Sequence, residues 1–124
     1  GTASRFKLVH NLILGLNRAA LAEGLQFAEA LGFEAQGALS VLQQTAAASV
    51  AMTAKGKRMA MRDFDQPQAR LSQHLKDVGL MLDEAGRTGA KVPLTTLHRT
   101  LLERAEELGF GEADNSAVLE AFNP

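Results

Sequence analysis

Between Ser4 and about Leu31 the chain carries a proline-free run in which apolar residues return every three or four positions: Phe6, Val9, Ile13, Leu16, Ala20, Ala22, Leu25, Phe27 and Ala30. A period near 3.6 marks one face of an α-helix. Ser4 is placed to cap its N-terminus and Gly32 to end it. At about 1.5 Å per residue the helix would run roughly 40 Å. That is more than a domain of 124 residues requires for its own core, so part of it is expected to lie against another chain or domain. Gly15 and Gly24 fall inside it, each costing up to about 1 kcal/mol relative to alanine. Close approach by a neighbouring helix backbone would offset that cost.

The rest of the chain repeats the helical period. Glu34 to about Ala47 reads as a second helix with Ala38, Leu39, Val41 and Leu42 inward, and Ser49 to Ala54 as a short third one ending near Lys55-Gly56. Asp63-Phe-Asp-Gln-Pro67 is a connecting loop, because proline biases its predecessor away from helix and aspartates favour turns. Gln68 to Ala85 forms another long helix through Leu71, Leu75, Val78, Leu80, Met81 and Leu82, closed over Gly86 to Gly89. Leu94 to Leu108 follows Pro93, with Leu97, Leu101, Leu102 and Ala105 inward and Gly109 as the stop; Asp114 or Ser116 then caps a short helix reaching Phe122. No segment alternates with a period of two. The expected fold class is therefore all-α: a single helical domain over 1–124, with two long helices and several shorter ones.

Composition narrows the function classes. With no cysteine, neither disulfides nor thiolate-ligated zinc contribute, and no histidines stand at metal-ligand spacing around a carboxylate, so no metal is expected. A net charge of -1 with mixed signs offers no footprint for nucleic acid or anionic lipid. Lys55-Gly-Lys57-Arg58 with Arg62 is the one basic cluster, read as solvated surface or a local anion contact. No apolar run of about 18 residues predicts a membrane span, and the cytoplasm is the expected compartment. The chain opens on glycine, which suggests a piece of something longer.

Lys7 and Asn11 carry the clearest chemical signal. At i and i+4 they share a helix face, within reach of one small polar molecule. A lysine can take or return the proton of a reacting hydroxyl when its surroundings favour the neutral amine, and a helix N-terminus disfavours an ammonium. Asn11 would orient such a hydroxyl or a carboxylate while staying uncharged. Spacing alone favours two ordinary exposed residues of a surface helix, because such pairs are common on helices. His10, His74 and His98 read as packing or surface residues, Met52, Met59, Met61 and Met81 as core filler, and Ser49 and Thr53 lack an adjacent base.

Gly1, Lys7 and Asn11 resemble the signature GxGxxxKxxxN of the β-hydroxyacid dehydrogenases, the family of 3-hydroxyisobutyrate dehydrogenases and tartronate semialdehyde reductases, with Ala3 in place of the second glycine. The likeness continues in order through Ala22-Glu23, Gly32, Gly56-Lys-Arg-Met59, Phe64, Pro67, His74-Leu-Lys-Asp77, Pro93, Gly109 and Asp114-Asn-Ser-Ala117. It implies a helical C-terminal domain resembling that of 6-phosphogluconate dehydrogenase, preceded in the whole enzyme by a Rossmann domain absent from this chain. It further implies NAD or NADP as cofactor, bound mainly by that missing domain, and a small β-hydroxy acid exchanged with its semialdehyde in the cleft between the two domains. Lys7 would be the catalytic acid/base, Asn11 a substrate ligand and Lys76 a cofactor contact, with Asp77 structural. The expected partners are the substrate, the chain's own Rossmann domain and further copies in a homo-oligomer, with no nucleic acid and no membrane. The fragment alone would be inactive. The alternative is a non-catalytic helical dimerisation or interaction module, motivated by the overlong first helix.

Overall fold

In the computed structural model, which describes residues 1–123, the chain is all-α. Five α-helices run in the order α1 (Thr2–Ala30), α2 (Ala35–Leu42), α3 (Val50–Met61), α4 (Leu71–Thr88) and α5 (Pro93–Ala105), followed by a π-helical turn (Glu106–Phe110) and a 3-10 segment (Asn115–Phe122). No β-strand occurs among the described residues; one isolated antiparallel bridge joins Arg70 to Asp114. The 3-10 segment is the hub, buried from Asn115 to Leu119 and packed by α1, α3, α4 and α5. Around it Leu25, Met59, Leu71, Val78, Leu102 and Val118 form a core closed to water.

The long first helix is present, but it starts earlier than Ser4 predicts. Gly1 is the N-cap without a side-chain bond, and the Arg5 amide already donates to the Gly1 carbonyl at 3.1 Å. Nothing in Thr2-Ala3-Ser4 resists helical geometry, so the ladder extends to the end and Ser4 becomes an ordinary first-turn residue. Its other end is as expected: Gly32 turns the chain at φ 95°.

Helix α2 stops at Leu42, short of Ala47. The Thr45 hydroxyl donates to the Leu42 carbonyl at 2.8 Å and accepts from the Ala47 amide at 3.2 Å, giving the backbone a turn in place of a further helical step. Val41, expected inward, is exposed, as are Leu97 and Leu108 further on. Helix α3 instead runs past Lys55-Gly56 to Met61, started by Ser49, whose Oγ accepts from the Met52 amide. Gly56 is there for packing: a Cβ on it would stand 2.6 Å from Leu39 Cδ1 of α2. The two helices meet at that point.

Of the two readings of the basic cluster, Lys55 and Arg62 follow the local anion contact, Lys55 on Asp114 at 2.9 Å. Lys55 is buried and Arg58 is spent on the loop that follows, donating to the carbonyls of Asp63, Asp65 and Gln66. Arg62 pairs with Glu29 and Glu120. Helix α4 begins at Leu71, three residues later than Gln68, because Gln68 and Ala69 bend and the segment is held against residues 111–115: Leu71 donates to Ala113, Ser72 to Gly111, and Asn115 to Ala69. Gly89, at φ 78°, ends it.

Candidate functional site

Residues 7, 11, 14 and 18 of α1 fall at i, i+4, i+7 and i+11, one stripe along the helix. Lys7 is exposed in the second turn, and Asn11 is half-buried one turn on. From Asn11 inward the stripe borders a shallow cleft of about 190 Å³ between α1 and α4, lined by Asn11, Leu14, Arg18, Ala69, Arg70, Gln73, His74, Asp77 and Asn115.

The floor of the cleft is polar. Arg18, His74 and Asn115 are 6%, 8% and 4% exposed, and Arg18 Nε and Nη1, His74 Nε2 and Asn115 Oδ1 have no hydrogen-bond partner among the described residues. His98 lies behind His74, ring centroids 5.4 Å apart at 50°. Gly15 makes room for them: a Cβ there would sit 2.4 Å from His74 Nε2 and 3.2 Å from His98 Cε1. The close approach expected at Gly15 is thus real, but the neighbour is an imidazole and not a helix backbone. At Gly24 nothing approaches within 4 Å.

Electrostatics at this floor are one-sided. Burial, then the Arg18 charge and His98, pushes His74 down to about 3. Burial and Arg18 push His98 down to about 4. Both rings are neutral at pH 7. Burial also lowers Arg18, partly offset by the Asp114 carboxylate, but a guanidinium keeps its proton in proteins. Arg18 is thus a buried cation lining the cleft with neutral His74, on which the neutral His98 ring packs.

Asn115 is held in position by its neighbour. Asp114 caps the 3-10 segment, accepting from the Ser116 amide at 3.0 Å and from its hydroxyl, from the Gln68 amide at 3.0 Å, and from Lys55 Nζ at 2.9 Å. Burial alone would raise this carboxyl, but the bonds from Ser116, Lys55 and Gln68 outweigh it and hold it well below the usual range. The motif Asp114-Asn-Ser-Ala117 is thus a structural latch carrying one cleft residue.

Of the residues named in the sequence, the cleft takes Asn11 and Asp77, and also His74, read there as a packing or surface residue, and Asn115, named only within a motif. Asn11 Oδ1 also accepts from His10 Nδ1 at 3.0 Å, and Asp77 accepts from Gln73 at 3.4 Å on the rim. Lys7 stands exposed one turn beyond the cleft mouth, and Lys76 is exposed on α4 beside Asp77. Arg18, His74 and Asn115 escaped sequence reasoning as a group. One signal was available: an arginine on the stripe of Lys7 and Asn11, inside a run that otherwise reads as core.

Residues 1–122 match the family model described as NAD-binding of NADP-dependent 3-hydroxyisobutyrate dehydrogenase. The chain is 35% identical over 124 residues to 2-(hydroxymethyl)glutarate dehydrogenase of Eubacterium barkeri, covering 98% of this chain and 40% of that protein. It is 32% identical over 118 residues to cytokine-like nuclear factor N-PAC of Drosophila melanogaster, covering 95% of this chain and 19% of that one. Among solved structures, 3-hydroxyisobutyrate dehydrogenase from Salmonella typhimurium matches with a TM-score of 0.91 at 27% identity, over 96% of this chain and 41% of the other. The chain therefore spans well under half the length of these relatives.

Proposed function

Since the chain belongs to the NAD-binding family of 3-hydroxyisobutyrate dehydrogenases, we propose that it is the helical C-terminal domain of an NAD(P)-dependent oxidoreductase interconverting a small β-hydroxy acid and its semialdehyde. The observation that carries the reading is the α1 stripe, on which an unpaired Lys7 precedes Asn11 at the mouth of a polar cleft. The names of relatives suggest candidate substrates, among them 2-(hydroxymethyl)glutarate and L-threonate. The cytoplasm is the compartment that goes with this reading.

Among the described residues no glycine-rich dinucleotide fingerprint opens a helix. Gly109-Phe-Gly111 belongs to the π-helical turn and its exit, and the space a Cβ would need at Gly111 is already taken by the Glu106 side chain at 3.2 Å. No glycine loop precedes a helix as a phosphate cradle requires. A Rossmann domain on the N-terminal side would hold the cofactor, leaving exposed Lys76 to meet it from this side. When bound, the nicotinamide accepts or donates the hydride.

Lys7 and Asn11 do the rest. In oxidation the neutral Lys7 amine takes the hydroxyl proton as the carbinol C–H pair of electrons departs as hydride, leaving a carbonyl; in reduction its ammonium returns that proton to the new alkoxide. Asn11 holds the hydroxyl or carboxylate without adding charge. In the full-length protein, Lys7→Ala should lower turnover by about 10²- to 10⁴-fold with NAD(P)H affinity retained. Near-normal turnover would refute the assignment.

A second reading is favoured by exposed apolar surface. Phe6, Val9 and Ile13 on α1, and Phe27, Leu31, Phe33 and Val41 around the α1–α2 turn, are uncovered, which suits a dimerisation or interaction module. One relative is named as a nuclear factor and not as a dehydrogenase. An upstream dinucleotide fingerprint with measurable turnover decides for the enzyme, and oligomers without turnover decide for the module.

A further inference from the structure

Lys55 lines no part of the cleft, yet it is bonded to both segments that supply the cleft wall of Ala69, Arg70 and Asn115. Its Nζ donates to Asp114 Oδ1 at 2.9 Å, to Asp114 Oδ2 at 3.1 Å and to Gln68 Oε1 at 3.1 Å, three acceptors for the three donors of an ammonium. Asp114 directly precedes Asn115, and Gln68 directly precedes Ala69 and Arg70. The Gln68 amide also donates to Asp114 Oδ1 at 3.0 Å, and the Asn115 amide to the Ala69 carbonyl at 2.8 Å. The two segments thus form one piece.

What that piece is fastened to decides where the wall stands. The bonds from Leu71 to Ala113 and from Ser72 to Gly111 run within it. Apolar contacts hold it to the rest of the fold, but hydrophobic attraction has no preferred direction. Among the described residues, Lys55 is the α3 side chain that donates into both segments: Arg58 bonds the preceding loop at Asp63, Asp65 and Gln66, and Arg62 pairs with Glu29 and Glu120. Helix α3 packs against α1, which gives the same cleft Asn11, Leu14 and Arg18. Lys55 therefore links one wall to the other by way of α3. A buried ion pair is a weak source of net stability, but each charge must keep its partner, and that constrains geometry.

We infer that Lys55 is a positioning residue for the substrate: acting through Asp114 and Gln68, it sets where Ala69, Arg70 and Asn115 stand relative to Asn11, and so how closely the cleft holds a hydroxy acid. The inference rests on the dehydrogenase reading above for the reaction, while the ties themselves rest on the geometry alone. Lys55 exchanges no proton with the substrate; Lys7 and Asn11 keep the roles given above. Loss of the ties should therefore show in the fit of the substrate and not in the pH dependence of turnover.

The test uses the full-length protein with its cofactor, as wild type, Lys55→Met, Gln68→Ala and Leu39→Ala, assayed with 3-hydroxyisobutyrate, 2-(hydroxymethyl)glutarate and L-threonate. For the acid that is turned over, kcat/KM should fall by on the order of 10²-fold in Lys55→Met, mostly through KM, and by about tenfold in Gln68→Ala. NADH affinity and the shape of the pH profile should stay as in the wild type. Gln68 is exposed and its replacement keeps the ion pair, so that variant folds and decides alone should Lys55→Met not fold. Leu39→Ala loosens the α2–α3 contact, and α2 gives the cleft no residue. It controls for lost stability: a smaller active fraction lowers the apparent kcat and leaves KM alone. A raised KM in Lys55→Met supports the inference whichever tie carries it. A wild-type KM in every folded variant, or a loss of kcat alone as in Leu39→Ala, overturns the inference and leaves the dehydrogenase reading intact. A loss of NADH affinity equal to the loss of substrate affinity would assign the wall to the cofactor and overturn it as well. A wild-type protein that turns over no hydroxy acid defeats the dehydrogenase reading and this inference with it.

Discussion

Lys55 Nζ stands 2.9 Å from Asp114 Oδ1 and 3.1 Å from Oδ2, tying the middle of α3 to the residue that caps the terminal 3-10 segment. Both side chains are buried, so the pair is expensive to form and more expensive to break. Lys55→Met leaves the Asp114 carboxylate with only Gln68 and Ser116, and should destabilise the protein by about 3 kcal/mol. Asp114→Asn leaves the Lys55 ammonium with neutral acceptors only, Gln68 Oε1 at 3.1 Å among them, and should cost a comparable amount. The double variant should lose at least about 1 kcal/mol less than the sum of the two, the coupling expected of residues in direct contact. Urea unfolding of the four proteins checks this; strict additivity would show that the ion pair contributes nothing of its own.

Acid should destabilise the protein in two stages. His74 and His98 have folded values of about 3 and 4 against an ordinary 6.5. The unfolded chain therefore binds protons that the folded one refuses, and stability falls as pH drops below about 6.5, by up to about 1.4 kcal/mol per pH unit for each ring. His98→Leu should halve that slope between about pH 6 and 4.5. Asp114 has the opposite chemistry and the same direction: its depressed value gives stability that is complete above about 3.9 and is lost as pH falls toward the folded value. Thermal midpoints measured across pH 7 to 3 check both stages, and a flat profile down to pH 5 would contradict the first.

Two glycines of one helix should respond oppositely to alanine. At Gly15 the new methyl meets His74 Nε2 at 2.4 Å and His98 Cε1 at 3.2 Å, and both rings are buried. Gly15→Ala should cost about 1–3 kcal/mol, as overpacking does. Around Gly24 there is open space, and Gly24→Ala should stabilise by about 0.5–1 kcal/mol through helix propensity alone. The same unfolding measurement reads both, and stabilisation by Gly15→Ala would mean that the imidazole pair is loosely held.

That contrast shows what the sequence could carry. The period of α1, its stop at Gly32 and the end of α4 at Gly89 are legible because periodicity and φ > 0 glycines act locally. Gly56 misleads for the reason Gly15 and Gly24 differ: a glycine serves termination, packing or neither, and only the opposing residue, here Leu39, decides. Lys55 reads as surface because its partner lies in another part of the chain. For the site, Asn11 was reachable by spacing from Lys7, both being on one helix. Arg18 was not, since its meaning comes from His74 on α4 and Asn115 on the 3-10 segment, two elements whose approach is a tertiary event.

Asn11 gives the sharpest kinetic prediction for the cleft mouth. It is half-buried, borders the cleft and accepts from His10, so its amide is oriented before a ligand arrives. Asn11→Leu preserves bulk and removes both hydrogen-bonding groups. If the amide holds the reacting hydroxyl or its neighbouring carboxylate, kcat/KM of the full-length enzyme should fall by on the order of 10²-fold, because misplacing a substrate by about 1 Å has that effect. Lys7 would still be present, so the pH dependence of the residual turnover should keep its shape. NAD(P)H affinity should stay within about twofold, since a neutral side chain on α1 removes no charge contact to the cofactor. Steady-state kinetics with fluorescence titration of NADH separates the two effects; equal losses in cofactor and substrate binding would place Asn11 against the nicotinamide and not against the hydroxy acid.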